Sequence, residues 1–526
     1  MTTRVADGPA EVARRGPPRS SRARRSAQAG AARWLPRVGA AAAGTLPAIA
    51  FPEVGSWPLA AVGLVPLLLI VRAAGSLREG AARGWLGGAG FLAATHSWLL
   101  PATGPFLLPV VLALGLLWLP FGAAAQMLLR PARPFGAALA VLVLPAIWLL
   151  IEYVRSWERL GGPFGLLGAS QSTGPLAPLI PLGGIWAASA AAVAVATALT
   201  LLIAGPGLRV RLSAAALAVA VAGLGPAYAA LVELPDATGV TTRVAVVQPG
   251  LLRGVEARFA AGLAAARSLA GRDVDLVVWG ESSVGLDLDG RPDLRAQLEA
   301  TVAELGADIL VGTDARRGRG AGIVKSAVLI TPTGVAGRYD KQRLVPFGEY
   351  VPLRPALGWL ARLTPVAGED RLRGSGPELL ETRSLVLGPL VCFESAFPDM
   401  SRHLARSGAE LLVVQSSTST FQDSAAPEQH AALAGVRARE TGLPVVHATL
   451  TGTSAVYAPD GQLLGQLGTD RRGTLVVDVP LNRGSTPYAA VGDVVPRAAV
   501  LFLLVWVAVT VTGMLARTSP AASSRS

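Results

Sequence analysis

The chain has 526 residues, 51% of them hydrophobic and only 16% charged, with a mean hydropathy of +0.47 and a net charge of +12. That balance excludes an ordinary soluble protein and points to a membrane protein with room for a globular domain. A single cysteine excludes an internal disulfide, and no nucleic-acid-binding motif accompanies the positive charge, so nucleic acid is not an expected partner.

Residues 1–37 hold nine arginines among Ala, Pro and Ser. They read as a basic, disordered cytoplasmic tail rather than a twin-arginine export signal, because the run that follows is not cleavage-like. Apolar stretches near 38–52, 57–73, 84–102, 105–128, 135–154, 176–204 and 210–231 predict a membrane bundle of about seven spans over 38–231. The predicted loop after the second span carries Arg72, Arg78 and Arg83, the one after the fourth Arg130 and Arg133, and the one after the sixth Arg209. The loops after the first and third spans carry none; Arg155 and Arg159 break the pattern but lie beside Glu152 and Glu158. Positive loops mark the cytoplasmic side, so the N-terminus is expected inside and residue 232 outside. A last apolar run, 498–515, is expected to return the chain to a cytoplasmic tail at 516–526. Trp98, near the outer end of the third span, reads as an interfacial anchor.

Between these parts, residues 240–482 change texture. Strands are predicted at 242–249, 274–281, 307–314, 325–332, 384–394, 409–417, 443–450 and 473–480, and helices at 255–270, 293–306, 397–407 and 428–441. Continuous apolar strands alternating with amphipathic helices predict an α/β layered domain with sheets buried on both faces.

Three segments of that domain carry reactive groups. "VVWGESS" puts Glu281 at a strand end, "GRYDKQRLVPFGEYVP" puts Lys341 and Glu349 on a turn-rich loop, and "LVCFES" puts the lone Cys392 at another strand end, with Glu394 two residues on. A thiol attacks a carbonyl as thiolate, so it needs a base. A partly buried carboxylate near the sulfur is expected to have a raised pKa and to take that proton, and a fixed ammonium with backbone N–H groups stabilises the oxyanion that forms. Glu281, Lys341 and Cys392 fill these roles without histidine. His96, His403, His430 and His447 have neither the company nor the spacing for a Cys–His pair or a metal site. Lys325 and Lys341 are the only lysines in an arginine-rich chain, a mild sign that arginine would not serve there.

The order Glu, then Y-x-K, then C-[FY]-E, each at a strand end, resembles the carbon–nitrogen hydrolase (nitrilase) superfamily. "YDKQRLVPFGEYVP" and "LVCFESAFP", placed after seven spans and before one, resemble its membrane branch, the apolipoprotein N-acyltransferase family, as does "RSWERLGGPFGLLGASQSTGPLAPLIPLGG" at 155–184. The resemblance implies a four-layer α-β-β-α sandwich seated on a polytopic helical membrane bundle of about eight spans. It also implies ping-pong acyl transfer in the cell membrane. Cys392 would take an acyl chain from a phospholipid as a thioester and pass it to the N-terminal amine of an S-diacylglyceryl-cysteine lipoprotein. Glu281 would be base and acid, Lys341 would support the oxyanion, and Glu349 and Glu394 would support them. No cofactor or metal is implied.

The chain departs from that pattern at Gly280, where proline is common, at Phe393, where tyrosine is common, and at "SSTSTF" (416–421), where Asn-Asp-x-Trp-Phe is usual. Two alternatives stay open on the residues alone: a membrane-anchored amidase using the same three groups, and a catalytically degenerate lipoprotein-binding paralogue. The apolar stretch 351–368 is expected to form a mobile arm dipping into the membrane interface.

Overall fold

The computed structural model describes residues 34–518 apart from positions 53, 131–133, 232–236, 317–321, 360–368 and 483. Among these described residues, twelve strands form two six-stranded sheets. The first holds β1 (Ala237–Gln248), β2 (Leu276–Trp279), β3 (Asp308–Arg316), β4 (Ile323–Thr331) and β5 (Gly334–Asp340). The second holds β6 (Leu380–Glu381), β7 (Val386–Val391), β8 (Leu411–Ser416), β9 (Val445–Thr449), β10 (Ser454–Tyr457) and β11 (Leu463–Leu467), and β12 (Gly473–Asn482) returns to the first. The orders are β12-β1-β2-β3-β4-β5 and β11-β10-β9-β8-β7-β6. The parallel pairs, β1–β2–β3 and β7–β8–β9, are the ones joined through helices, as crossover connections require.

Side-chain alternation sorts the layers. Val244 and Val246, Leu276 and Val278 point between the sheets, where they meet Leu387, Leu411, Val413 and Val446. Their neighbours Ala245 and Val247, Val277 and Trp279 face outward onto the helices Val255–Arg267 and Pro292–Leu305. This is the period-two consequence of strand geometry. The outer face of the second sheet, through Leu390, Leu412, Val414 and Val445, packs on Leu404, Leu433 and Val436 from the helices Pro398–Arg406 and Ala426–Thr441. The same continuous core runs on into Trp148, Ile180 and Ile185 of the apolar bundle. The expected α-β-β-α sandwich is present, with one helix layer shared with the bundle.

Among the described residues, five helices are long and apolar enough to cross a membrane: Ser97–Leu128, Gly136–Arg155, Ala177–Ala204, Gly207–Leu231 and Val494–Gly513. The other predicted spans correspond to a helix over 34–45 with the turn Leu46–Ala50, to the shorter apolar Leu59–Arg72, and to Leu77–Thr95. The last begins earlier than 84–102, because Ser76 caps its start by accepting from Glu79 N, and it ends earlier, at Thr95. Its glycines let it approach its neighbour: a Cβ on Gly84 would lie 2.5 Å from Gly122 Cα.

Every predicted strand and helix of 240–482 is found, with one correction at the site. The strand expected over 384–394 stops at Val391, and Cys392–Ala396 form a 3-10 turn. The unpredicted β5, β6, β10 and β11 are short or half-exposed, with no continuous apolar run to signal them. Of the expected arm over 351–368, positions 360–368 lie outside the described residues; within the described part Leu353 and Trp359 are exposed.

Candidate active site

Each predicted group sits in the turn or loop that follows a strand. Gly280 and Glu281 follow β2, Lys341 follows β5, and Cys392 follows β7. Sharp backbone turns aim them. Ser282, Phe347 and Cys392 all have positive φ, at 56°, 62° and 54°, values that a residue with a side chain adopts only when its surroundings hold it there. Gly280 has a steric reason: a Cβ there would lie 2.0 Å from Leu450 N, so the turn carrying Glu281 presses directly on the end of β9.

Glu281, Lys341 and Glu349 meet in a buried cluster. Lys341 Nζ lies 3.3 Å from Glu281 Oε1 and 2.8 Å from Glu349 Oε1. Glu349 Oε2 accepts Val345 N at 2.9 Å, so that carboxylate also pins its own loop. Lys341 is fully buried, and Glu281 is 4% exposed. Burial alone would favour neutral side chains, but the charges offset one another. Burial pushes the Glu281 carboxyl up, as expected, but the ammoniums of Lys325 and Lys341 outweigh that and hold it at about 2, so the expected raised pKa is not found. Burial likewise opposes charge on Lys341, and Glu281 and Glu349 overcome it, holding this ammonium well above the ordinary range.

The Cys392 thiol shares that field. Burial, then the charge of Glu281, pushes it up to about 12, with Lys341 and a hydrogen bond with Ser416 opposing. At rest the sulfur is therefore a thiol facing an ionised carboxylate. Proton transfer between them is uphill at rest and proceeds only as the sulfur bonds to a substrate carbonyl, with the ammonium meeting the charge that develops.

Glu394 stands apart from this cluster and serves as a tie. Its carboxylate accepts Tyr339 OH at 2.9 Å, Gln342 N at 2.6 Å, Arg343 N at 3.0 Å and Val391 N at 2.8 Å. One buried side chain thus joins the lysine loop to the cysteine turn across the two sheets.

Two neighbours were not foreseen as site residues. Lys325, on β4, reaches Glu281 Oε1 at 3.0 Å; its scarcity in the sequence was the one available signal. His430 places Nε2 3.0 Å from Cys392 O and 2.9 Å from Ser395 Oγ, and Nδ1 3.1 Å from Ser416 Oγ. Burial lowers its pKa to about 4, so the ring is neutral and braces the backbone of the turn. Its 38-residue separation from the cysteine carries no sequence signal.

The bundle reaches the same place. Phe164 stacks on Phe393, and Trp98 packs edge-on to Phe421, with centroids 5.0 Å apart, and against Phe164 at 5.6 Å. Trp98 therefore contacts the altered 416–421 stretch of the α/β domain. Arg373 bonds Glu158 at 3.0 Å, and Ile185 N donates to Glu440 Oε1 at 2.8 Å, so polar contacts cross the junction too.

Residues 43–198 match the apolipoprotein N-acyltransferase N-terminal domain, and residues 243–486 match the carbon–nitrogen hydrolase domain. Proteins named apolipoprotein N-acyltransferase from Pseudomonas aeruginosa and Azotobacter vinelandii are each 32% identical to this chain. The matches cover 87% of this chain and 93% and 92% of those proteins. Among solved structures, a carbon–nitrogen hydrolase from Helicobacter pylori aligns with a TM-score of 0.37 at 18% identity, covering 46% of this chain and 89% of that one. With both domains matched in order and the relatives spanned almost end to end, the chain belongs to the apolipoprotein N-acyltransferase family.

Proposed function

We propose that this chain transfers an acyl chain from a membrane phospholipid to the N-terminal amine of an S-diacylglyceryl-cysteine lipoprotein, through a thioester at Cys392. Full-length similarity to proteins named apolipoprotein N-acyltransferase is the observation that carries this reading. The buried Glu281–Lys341–Glu349 cluster gives it a mechanism.

In the first half-reaction Glu281 takes the Cys392 proton as the sulfur adds to the ester carbonyl. The oxyanion meets the Lys341 ammonium and backbone N–H groups. Collapse breaks the ester C–O bond, and the lysophospholipid oxygen leaves with the proton held by Glu281. In the second half-reaction the lipoprotein amine adds to the thioester carbonyl, gives a proton to Glu281, and expels the sulfur, which recovers that proton as thiol. Glu349 holds Lys341, and Glu394 holds the two loops in register. No redox step or cofactor is needed.

Both substrates are lipid-anchored, so a site attached to a membrane bundle gains effective concentration. On the loop charges, about seven spans precede the catalytic domain and one follows, with both termini cytoplasmic and residues 240–482 outside. The amidase alternative leaves the matched N-terminal domain without a purpose. The test is intact-protein mass spectrometry after incubation with phospholipid. A hydroxylamine-labile acyl adduct is expected on the unsubstituted protein and not on Cys392→Ser. A diacylglyceryl peptide should then discharge it onto its amine; discharge to water alone would favour the amidase.

A further inference from the structure

Lys325 has no part in the mechanism above, yet it makes the shorter of the two ammonium contacts to Glu281. It stands on β4 opposite Asp314 of β3. Its Nζ lies 3.0 Å from Glu281 Oε1, 3.2 Å from Ser282 Oγ and 3.9 Å from Glu349 Oε1. Lys341 Nζ approaches the same Glu281 oxygen at 3.3 Å. Ser282 Oγ in turn donates to Asp314 Oδ1 at 2.9 Å, so the chain of contacts closes back onto β3.

The groups facing Glu281 come from every side of the site. Lys325 comes from β4, with Asp314 of β3 beside it. Lys341 and Glu349 come from the loop after β5, Cys392 from the turn after β7, and His430 from the helix Ala426–Thr441. Without Lys325, Glu281 and Glu349 would share one ammonium, and that ammonium lies closest to Glu349 at 2.8 Å. A buried carboxylate left with a half share of one cation gains a proton readily. A protonated Glu281 cannot accept the thiol proton.

We infer that Lys325 is a positioning residue for the acyl-transfer reaction: it holds Glu281 Oε1 in place and ionised, leaving Lys341 to meet the oxyanion. The inference rests on Glu281 and Cys392 acting as proposed above. When Glu281 takes the proton, Lys325 keeps Ser282 as a partner and the charge of Asp314 nearby, so its place does not depend on the Glu281 charge. Burial tends to raise the Glu281 pKa, and Lys325 is the largest influence holding it down, which agrees with this assignment.

The experiment measures the rate of Cys392 acylation by phospholipid against pH, on the full-length protein in detergent, for the unsubstituted protein, Lys325→Gln and Lys325→Arg. The unsubstituted protein should show no acid limb down to about pH 5. Lys325→Gln should gain one, its rate at about pH 5.5 falling roughly tenfold below its own plateau, with the KM for phospholipid unmoved. Lys325→Arg should restore the flat profile. A Lys325→Gln profile parallel to the unsubstituted one, however much lower, would overturn the inference, since a merely structural loss scales all pH values alike. Should Lys325→Gln lack a cooperative melt, Lys325→Met, which keeps the length without the charge, carries the same two outcomes. Failure of the unsubstituted protein to acylate at any pH would overturn the thioester reading itself, and this inference with it.

Discussion

Phe164, on the loop after the helix Gly136–Arg155, lies parallel to Phe393, the residue after the cysteine: the ring centroids are 6.0 Å apart and the planes differ by 3°. The bundle therefore braces the turn that carries the thiol. Phe393 also meets Phe397 edge-on, at 4.9 Å, so the brace continues into the helix Pro398–Arg406.

Truncating that brace should loosen the turn without touching a reacting atom. Phe164→Ala is expected to cost about 3 kcal/mol, from lost apolar burial and ring contact. It should slow Cys392 acylation by roughly tenfold through misplacement of the sulfur. Thermal melting and adduct kinetics read the two effects; an unchanged acylation rate would mean that the turn holds itself.

Glu281 should have opposite effects on two reactions of the same thiol. Its charge is, after burial, the main influence pushing Cys392 up to about 12. Glu281→Gln removes that charge, so iodoacetamide should alkylate the lone thiol roughly tenfold faster at about pH 8. Acylation by phospholipid should fall by about 10²-fold or more, because the proton acceptor is gone. Mass spectrometry reads both on one sample, and slower alkylation would contradict the assignment.

The same carboxylate makes a stability prediction with a definite sign. Its pKa is held at about 2, below the ordinary 4.5, so the ionised form is favoured in the folded state. That contribution is fully present above about pH 4.5 and is lost as pH falls toward 2. The difference in melting temperature between the unsubstituted protein and Glu281→Gln should therefore be constant near neutrality and shrink below about pH 4.5. A gap that widens on acidification would reverse the sign.

Glu394 should matter more for folding than for chemistry. Glu394→Ala leaves Tyr339 OH and the N–H groups of Gln342, Arg343 and Val391 without their acceptor. At about 1–3 kcal/mol for each buried unpaired donor, the loss should exceed roughly 4 kcal/mol. Glu394→Gln keeps one acceptor oxygen and should fall between. Denaturant unfolding read by tryptophan fluorescence ranks the three proteins, and equal stability of Ala and Gln variants would remove the tie.

The sheets were legible because their strands are buried on both faces. Every residue of β2, β8 and β9 is buried; β2 is apolar throughout and β8 and β9 open on Leu411–Val414 and Val445–Val446, and such apolar starts announce themselves. β5 and β11 are partly exposed and carry Gly, Arg or Gln, so they read as loops. The strand expected to reach Glu394 ends at Val391 because a carboxylate two residues past the thiol turns back to accept Val391 N. Alternation of residue types cannot show such a bond.

Residue type at strand ends was enough to single out Glu281, Lys341 and Cys392 as candidates, because carboxylate, ammonium and thiol are distinct chemical classes and short words surround each of them. Tertiary structure alone decided who shares their charge. Lys325 and Lys341 lie 16 positions apart in the chain but converge on one carboxylate oxygen, because β4 and β5 pair antiparallel and return the chain to the same edge of the site. Composition and long apolar runs were likewise enough to assign a bundle of apolar helices. That Phe164 of that bundle packs on the cysteine turn, and Trp98 on Phe164 and Phe421, was not readable, because ring contacts across hundreds of residues follow from packing and leave no local pattern.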